Sequence, residues 1–530
     1  MRARYRAALV ILAAAPLVLG PTVAWAHSGS GLVQASAGDP TAACTAGAES
    51  GTNFPNTEVE PYVAVNPWNA HQAIGVFQQD RWSDGGAHAG GVVWTRDAVH
   101  FSEGLLPFGS CGAPGGTNYE RISDVWVSFG PDGAAYSSGL EFDDADNRNG
   151  VGAATSFDGG RTWKFAQPVI ADNDTEHFND KNSVTADPRR SGTAYQVWDR
   201  LDQPFDANGH PISFNGPAYI SITHDHGRTW SAPRALVDTS VTPNMQTIGN
   251  LVLGDARTGR LYDFFDQITY TDPNADAVVD AHYAFVTSSD GGRTWSKPSP
   301  IAPDTSIGDV DPNAPNDPTK ALRTGSGLPN VAIDPVTGEL YLAFEGTTFT
   351  GGATSQVELV HSTDRGRTWS APVRISHGPQ APSYTPSVAV DPTGTVSVTY
   401  YDVRDLKPGN TTTLPTSTWL YSFPRGHQQD AVERRLAPDF DWLLAPSAGG
   451  HFLGDYEGLA ASGFGAVRPF FSTTLKAPQT NVFSGVFETP LGDPFAAGQL
   501  NPNTAKAPAT APTNTEARIA AHIAERKTAH

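Results

Sequence analysis

Six acidic residues recur along this chain at matching places, each closing a short apolar run: Asp80, Glu141, Asp199, Asp266, Glu345 and Asp402. Arginines stand beside three of them, as Arg81, Arg200 and Arg404. Other charged residues precede neighbouring runs, namely Glu60, Glu120-Arg121, Asp180-Lys181 and Arg323, and Gly454-Asp455-Tyr456-Glu457 follows the last clear repeat. Two carboxyl groups in one cleft can give and take protons at a glycosidic bond, and an arginine cluster can hold an anionic group. The ring therefore suits either a glycosidase or an anion-binding cup. A structural role, each carboxylate pairing with an arginine or capping a loop, is the competing reading.

The elements that would position these groups show themselves by repetition. Four segments share one pattern: Ser156-Phe-Asp158-Gly-Gly-Arg-Thr-Trp163, Thr223-His-Asp225-His-Gly-Arg-Thr-Trp230, Ser288-Ser-Asp290-Gly-Gly-Arg-Thr-Trp295 and Ser362-Thr-Asp364-Arg-Gly-Arg-Thr-Trp369. An eroded copy runs from Thr95 to Phe101 around Asp97. The aspartate accepts from turn amides, the glycine takes positive φ, and the tryptophan buries its ring beside a hairpin. Asp158, Asp225, Asp290 and Asp364 are accordingly read as structural. Apolar runs ending in Asp or Asn precede each segment, as in Val63–Asn66, Val184–Asp187, Val331–Asp334 and Val388–Asp391. Strand, turn, strand, loop, strand, turn, strand at a spacing of about 65 residues predicts an all-β, single β-propeller of four-stranded blades. Six blades are clear from Glu60 to Pro438. Strands over 458–461, 467–472 and 481–487, with one from the N-terminal arm, predict a seventh; six is the alternative.

The repeated segment is the Asp-box, and over residues 56–490 the chain resembles the secreted, sialidase-like Asp-box propellers of bacteria. That resemblance implies a glycoside hydrolase in which an arginine triad holds the substrate carboxylate, a tyrosine is the nucleophile, and an aspartate is the acid/base. Tyr119-Glu120-Arg121-Ile122-Ser123 is the nearest match to the family's first arginine motif, with a glutamate inserted and serine for proline. Arg121 is thus its first member here, and Arg323 and Arg404 complete the triad on position. Tyr456 is the nucleophile implied, with Tyr401 behind it, and Asp144 or Asp146 the acid/base. Terminal sialic or related nonulosonic acids are the substrate class. One alternative is a hydrolase of a neutral glycan such as an arabinan, using Asp80 and Asp199 with Arg81, Arg200 and Asp402 nearby. The other is a non-catalytic propeller that binds glycan or protein.

Charge narrows the partners. Acidic residues outnumber basic ones 55 to 35, giving −20, which repels nucleic acid and anionic lipid. A glycan is expected, with no membrane insertion, and a monomer. No cofactor and no metal site are expected, although Asp304, Asp309, Asp311 and Asp317 lie in a Pro- and Asn-rich segment compatible with Ca²⁺. Residues 1–26 read as a secretory signal, with Arg2, Arg4 and Arg6 before an apolar run and Ala24-Trp25-Ala26 at its end. In an exported chain, Cys44 and Cys111 are most simply a disulfide, two free thiols being the alternative. Residues 27–55 form an N-terminal arm. Residues 491–530 form an Ala/Pro/Thr-rich tail with one short helix near its end.

Overall fold

A computed structural model describes residues 31–491, apart from Glu49, Asp276, His377, Pro379 and Gln380. Residues 1–26, read above as a secretory signal, and the tail beyond Leu491 lie outside the described residues. The chain is all-β, and it repeats one unit: four antiparallel strands laid side by side in chain order. Unit I comprises Glu58–Asn66, Asn69–Arg81, Ala87–Thr95 and Phe101–Leu105. Unit II comprises Arg121–Phe129, Ala135–Phe142, Arg148–Ser156 and Lys164–Asn173. Unit III runs from His177 to Ala235, unit IV from Met245 to Pro303, unit V from Asn330 to Arg374 and unit VI from Ser383 to Arg435. Unit VII takes Gly458–Ala461, Ala466–Lys476 and Gln479–Gly485, and its fourth strand is Leu32–Gln34 from the arm, paired to Gln479–Gly485.

Both faces of each unit are buried, and the alternation along a strand decides which neighbour each side chain meets. In Leu340–Gly346, Leu340, Leu342 and Phe344 pack toward unit IV, while Tyr341 and Ala343 pack toward unit VI. Apolar clusters of this kind lie between each unit and the next. The last and first units are joined in the same way, with Phe470 and Val482 against Val63, Ala73 and Phe77. The first strands of successive units pack on one another, and Gly458–Ala461 packs on Glu58–Asn66. Polar bonds reinforce that junction, as Ser472 Oγ and Thr480 Oγ1 both donate to the Glu58 carbonyl, at 2.8 and 2.9 Å.

The four repeated segments form the turns between third and fourth strands. In each, the aspartate accepts from the Thr amide and hydroxyl four residues on, for example at 2.9 and 2.7 Å in Asp364. Ser362 Oγ in turn receives the Gly366 amide at 2.8 Å. The tryptophans Trp163, Trp295 and Trp369 pack into the apolar cluster shared with the preceding unit. Gly366 has φ +83°, and a Cβ there would stand 2.5 Å from the Phe285 ring of unit IV. Each turn is thus a seam between units as well as a hairpin.

From sequence the arm is expected to give one strand and the disulfide, and the structure gives it further contacts. Beyond Leu32–Gln34 it runs over units I and II, bonded to Asp80, Trp82, Asp84, Arg121 and Asp144. The Cys44–Cys111 disulfide, a bond of oxidising compartments, staples it there. No helix among the described residues is long and apolar enough to cross a membrane.

The seam can be weighed against backbone strain alone. Gly351 also has positive φ, at +67°, but nothing lies within 4 Å of its notional Cβ. Gly366→Ala should therefore cost about 1–3 kcal/mol more than Gly351→Ala in urea unfolding, the overpacking term. Equal losses would mean that strain, and not the seam, sets the requirement for glycine.

Candidate functional site

The first strands of five units share a defect. Pairing with the second strand slips near the start of each, between Val59 and Tyr62, Ser123 and Trp126, Asp180 and Ser183, Ile248 and Leu251, and Tyr384 and Ser387. The first residue of each bulge takes positive φ: Glu60 (+53°), Asp124 (+47°), Lys181 (+44°), Gly249 (+72°) and Thr385 (+50°). Glycine suits this conformation, whereas three of these positions hold long or charged side chains, an arrangement that persists only where its surroundings hold it in place.

Those three side chains meet. Lys181 Nζ lies 3.2 Å from Asp124 Oδ1, 2.7 Å from Asp455 Oδ2 and 3.8 Å from Glu60 Oε1. Arg323 binds Asp455 through both Nε (2.9 Å) and Nη2 (2.5 Å). The Asp455 amide donates to Glu60 Oε1 at 3.3 Å, and Gln78 Nε2 donates to the other Glu60 oxygen. Arg81 donates to Gln78 Oε1 at 2.8 Å, and Arg81 and Arg323 both stack on the Phe452 ring, at 4.8 and 4.5 Å. Beside the cluster is a cavity of about 30 Å³ lined by Asp124, Trp126, Lys181, Asn182, Asn250 and Tyr456, room for a water but not a sugar. The Tyr456 ring meets Trp126 edge-on at 5.1 Å, and its buried hydroxyl has no hydrogen-bond partner among the described residues.

Burial and neighbouring charge push these groups apart in proton affinity. Burial raises the Glu60 carboxyl, and repulsion from Asp124 raises it further. Lys181 opposes both, and the result is about 8. Burial would also raise Asp455, but Arg323 and Lys181 overcome it and hold that carboxylate well below its ordinary range. Burial works against the Lys181 ammonium, yet Asp124, Asp455 and Glu60 lift it well above the usual lysine value. Burial, followed by Glu60, Asp124 and Asp455, drives the Tyr456 phenol far up, so its resting form is neutral. A protonated acid, an ionised carboxylate and a fixed cation therefore share one site.

Of the residues singled out from sequence, Arg81, Arg323 and Tyr456 come together here. Among the described residues, Arg121, Arg323 and Arg404 are held by carboxylates in different parts of the chain, so the three do not gather on one point. Arg121 is 1% exposed and spends every guanidinium nitrogen on the arm and its surroundings: the carbonyls of Gly47, Ser50 and Gly85, and the carboxylates of Asp84 and Asp144. Asp144 accepts from the Ser50 amide and hydroxyl, both at 2.7 Å, and is covered by the same arm. Asp146 is exposed and caps its own loop by accepting from the Arg148 amide. Asp80 accepts from Thr41 Oγ1 at 2.6 Å and the Asn56 amide at 2.8 Å, again arm residues. Arg404 lies over Trp419 at 3.8 Å, between Asp402 and Glu433, and Arg200 pairs with Asp172.

Two other members of the acidic ring hold bulges in place, and a third holds a loop. Asp199 accepts from the Gly249 amide (2.9 Å), Thr247 Oγ1 and the Asn250 side chain. Glu345 accepts from the Thr385 amide at 2.7 Å, and Glu141 from the Gly109 amide at 3.0 Å and from Thr117 Oγ1. Sequence reasoning noted Glu60, Lys181 and Asp455 without assigning them roles, and it missed Asp124. An acidic residue two positions before the Trp126 run, in register with Glu60 and Lys181, was the available signal. In the segment considered for Ca²⁺, Asp304, Asp311 and Asp317 each accept from a backbone amide two residues on, and Asp309 accepts from Thr324. Among the described residues, Asp172, Asp174 and His177 bring three potential ligand atoms within 4.8 Å of one another.

No family model matches this chain, and no curated protein does. Among solved structures it is similar to a protein of unknown function from Dyadobacter fermentans DSM 18053, at 12% identity and TM-score 0.42 over 82% of this chain and 97% of that one. A GH93 α-L-arabinofuranosidase of Fusarium graminearum is 16% identical, with TM-score 0.39 over 69% and 93%. A Trypanosoma rangeli sialidase is 13% identical, with TM-score 0.40 over 71% and 56%. These likenesses are distant, and no functional residue is carried over from them.

Titration of the buried groups gives stability a definite pH dependence. The folded chain retains the Glu60 proton up to about 8, whereas an unfolded glutamate releases it near 4.5, so stability falls as pH rises through that window. Glu141 and Glu358, raised to about 7 by burial, add to the same slope. The urea midpoint should be higher at pH 5 than at pH 8, and Glu60→Gln should flatten the decline; an unchanged slope would refute the raised value. At pH 7, Lys181→Met should cost about 3–5 kcal/mol, because it strands buried carboxylates. A loss under 1 kcal/mol would show that the cluster is not a closed ionic unit.

Proposed function

We propose that the chain is a seven-bladed Asp-box β-propeller that hydrolyses glycosidic bonds at the Glu60–Asp124–Lys181–Asp455 cluster. Units I–VII are its blades, and Leu32–Gln34 closes the last against the first; the apolar contact between units VII and I supports this reading. One observation carries the activity: two neighbouring carboxyl groups hold their protons oppositely, Glu60 up to about 8 and Asp455 well below the usual range. An environment that keeps one carboxyl protonated beside ionised neighbours supplies a general acid at neutral pH.

In this reading the closed cavity opens to admit the sugar, and Glu60 gives its proton to the departing glycosidic oxygen. A water in the cavity beside Asp124 attacks the anomeric carbon as that bond breaks, and its proton passes to Asp124. Lys181 holds the Asp124 carboxylate in position, and the Tyr456 hydroxyl, which lines the same cavity, is a donor for the attacking water. The substrate class we assign is a neutral glycan, arabinan included, in preference to a sialoside. Lys181 and Arg323 are bound to Asp455, Arg121 to the arm, and Arg404 to Asp402 and Glu433, so among the described residues no arginine set at this site is left for a sugar carboxylate.

Glu60→Gln should lower kcat by about 10²–10⁴-fold while the fold persists. In the wild type, kcat/KM should fall above about pH 8, where the acid loses its proton. Reducing-sugar release from arabinan and from a sialoside, with both proteins, checks these expectations. Full turnover by Glu60→Gln would exclude the mechanism, and release from the sialoside alone would exclude the substrate class.

A further inference from the structure

The arginines of this chain include two contrasting groups. Those near the axial cluster and the arm are neutralised, as Arg121, Arg200, Arg323 and Arg404 each contact a carboxylate. On the opposite end of units III–V, where the repeated turns lie, Arg189, Arg190, Arg257, Arg260, Arg293, Arg365 and Arg367 form no ion pair among the described residues. All but Arg260 are exposed, and Arg260 is half-buried. Seven guanidinium groups without an ion pair in one sector are notable in a chain of net charge −20, although Arg293 and Arg367 donate to the Asp290 and Asp364 carbonyls of their own turns.

They are arranged by the repeat. The first turn of one unit leans on the repeated turn of the next, and each junction leaves a groove. Between units III and IV, Arg190, His224, Asp290 and Arg293 line a groove of about 320 Å³. Arg260, Asp364, Arg365 and Arg367 line the corresponding groove between units IV and V, about 450 Å³. The guanidiniums bridge the units: Arg190 Nη1 lies 2.9 Å from where a Cβ of Gly291 would stand, and Arg257 Nη1 2.5 Å from that of Gly338. The aspartates in the grooves are engaged by their own turns, Asp290 by Thr294 and Asp364 by Thr368.

We propose that this face is a second binding surface, which takes an acidic polysaccharide whose successive carboxylates or sulfates enter the two grooves. Planar guanidinium groups match both anions. A nucleic acid is disfavoured because its denser charge meets stronger repulsion from the other surfaces of a −20 chain. The surface is distinct from the axial site and stands or falls apart from the hydrolase reading.

The test is equilibrium binding of the full chain to fluorescent oligogalacturonate, to neutral arabinan and to single-stranded DNA, across a salt series. Oligogalacturonate should bind with an affinity that falls steeply with salt. The variant Arg190→Gln/Arg293→Gln/Arg365→Gln/Arg367→Gln should weaken it by about tenfold or more with an unchanged thermal midpoint, while Glu60→Gln should bind as the wild type does. No binding at low salt, equal binding by the quadruple variant, or loss of binding in Glu60→Gln would overturn the proposal. DNA bound as tightly as oligogalacturonate would overturn the choice of partner.

Discussion

Lys181 carries its charge inside a shell of carboxylates drawn from distant stretches of chain, and the rest of the axial architecture follows from satisfying it. Asp124 arrives from unit II, Glu60 from unit I, and Asp455 from the segment leading into unit VII. A buried ammonium is tolerated only when closely paired, and removing a partner costs more than the pair contributes. The first and last units must therefore be brought into register for the charge to be met. The positive φ at Glu60, Asp124 and Lys181 belongs to the same demand, since the bulge turns each side chain inward. Asp199 and Glu345 then secure the corresponding bulges of units IV and VI by accepting their amides.

This arrangement divides the molecule electrostatically. At the axial end and along the arm, cations and anions are matched, so burial there tunes proton affinity without leaving charge exposed. At the other end, the repeated turns use their aspartates to hold their own amides, and the arginines they carry form no ion pair among the described residues. The global charge of −20 is thus a poor guide to either end. Local pairing determines what each surface can bind.

The strand repeat, the turns and their period were legible because they arise from local rules. Alternating apolar runs must be strands with both faces buried, and Asp-x-Gly-x-Thr-Trp must be a turn. The ring of second-strand carboxylates was legible as a pattern but ambiguous as to role, since Asp199 and Asp402 look alike in sequence while one holds a bulge and the other an arginine. Arg121 was misread for a specific reason. Its partners come from a low-complexity arm over seventy residues upstream, and nothing in that arm's composition announces carbonyls aimed at a guanidinium.

The sequence by itself determined the elements: short strands, the turns between them, the all-β class, and cysteines suited to an oxidising compartment. It also determined which residue types were available for chemistry. Only the tertiary structure decided which of them meet. Glu60, Asp124, Lys181 and Asp455 span nearly four hundred positions, and their contact depends on the closing of the last unit against the first. Proton affinities follow contact and burial and cannot be read from spacing, so the same residue types became a tuned cluster at the axis, a stapled arm beside it, and an open cationic face opposite.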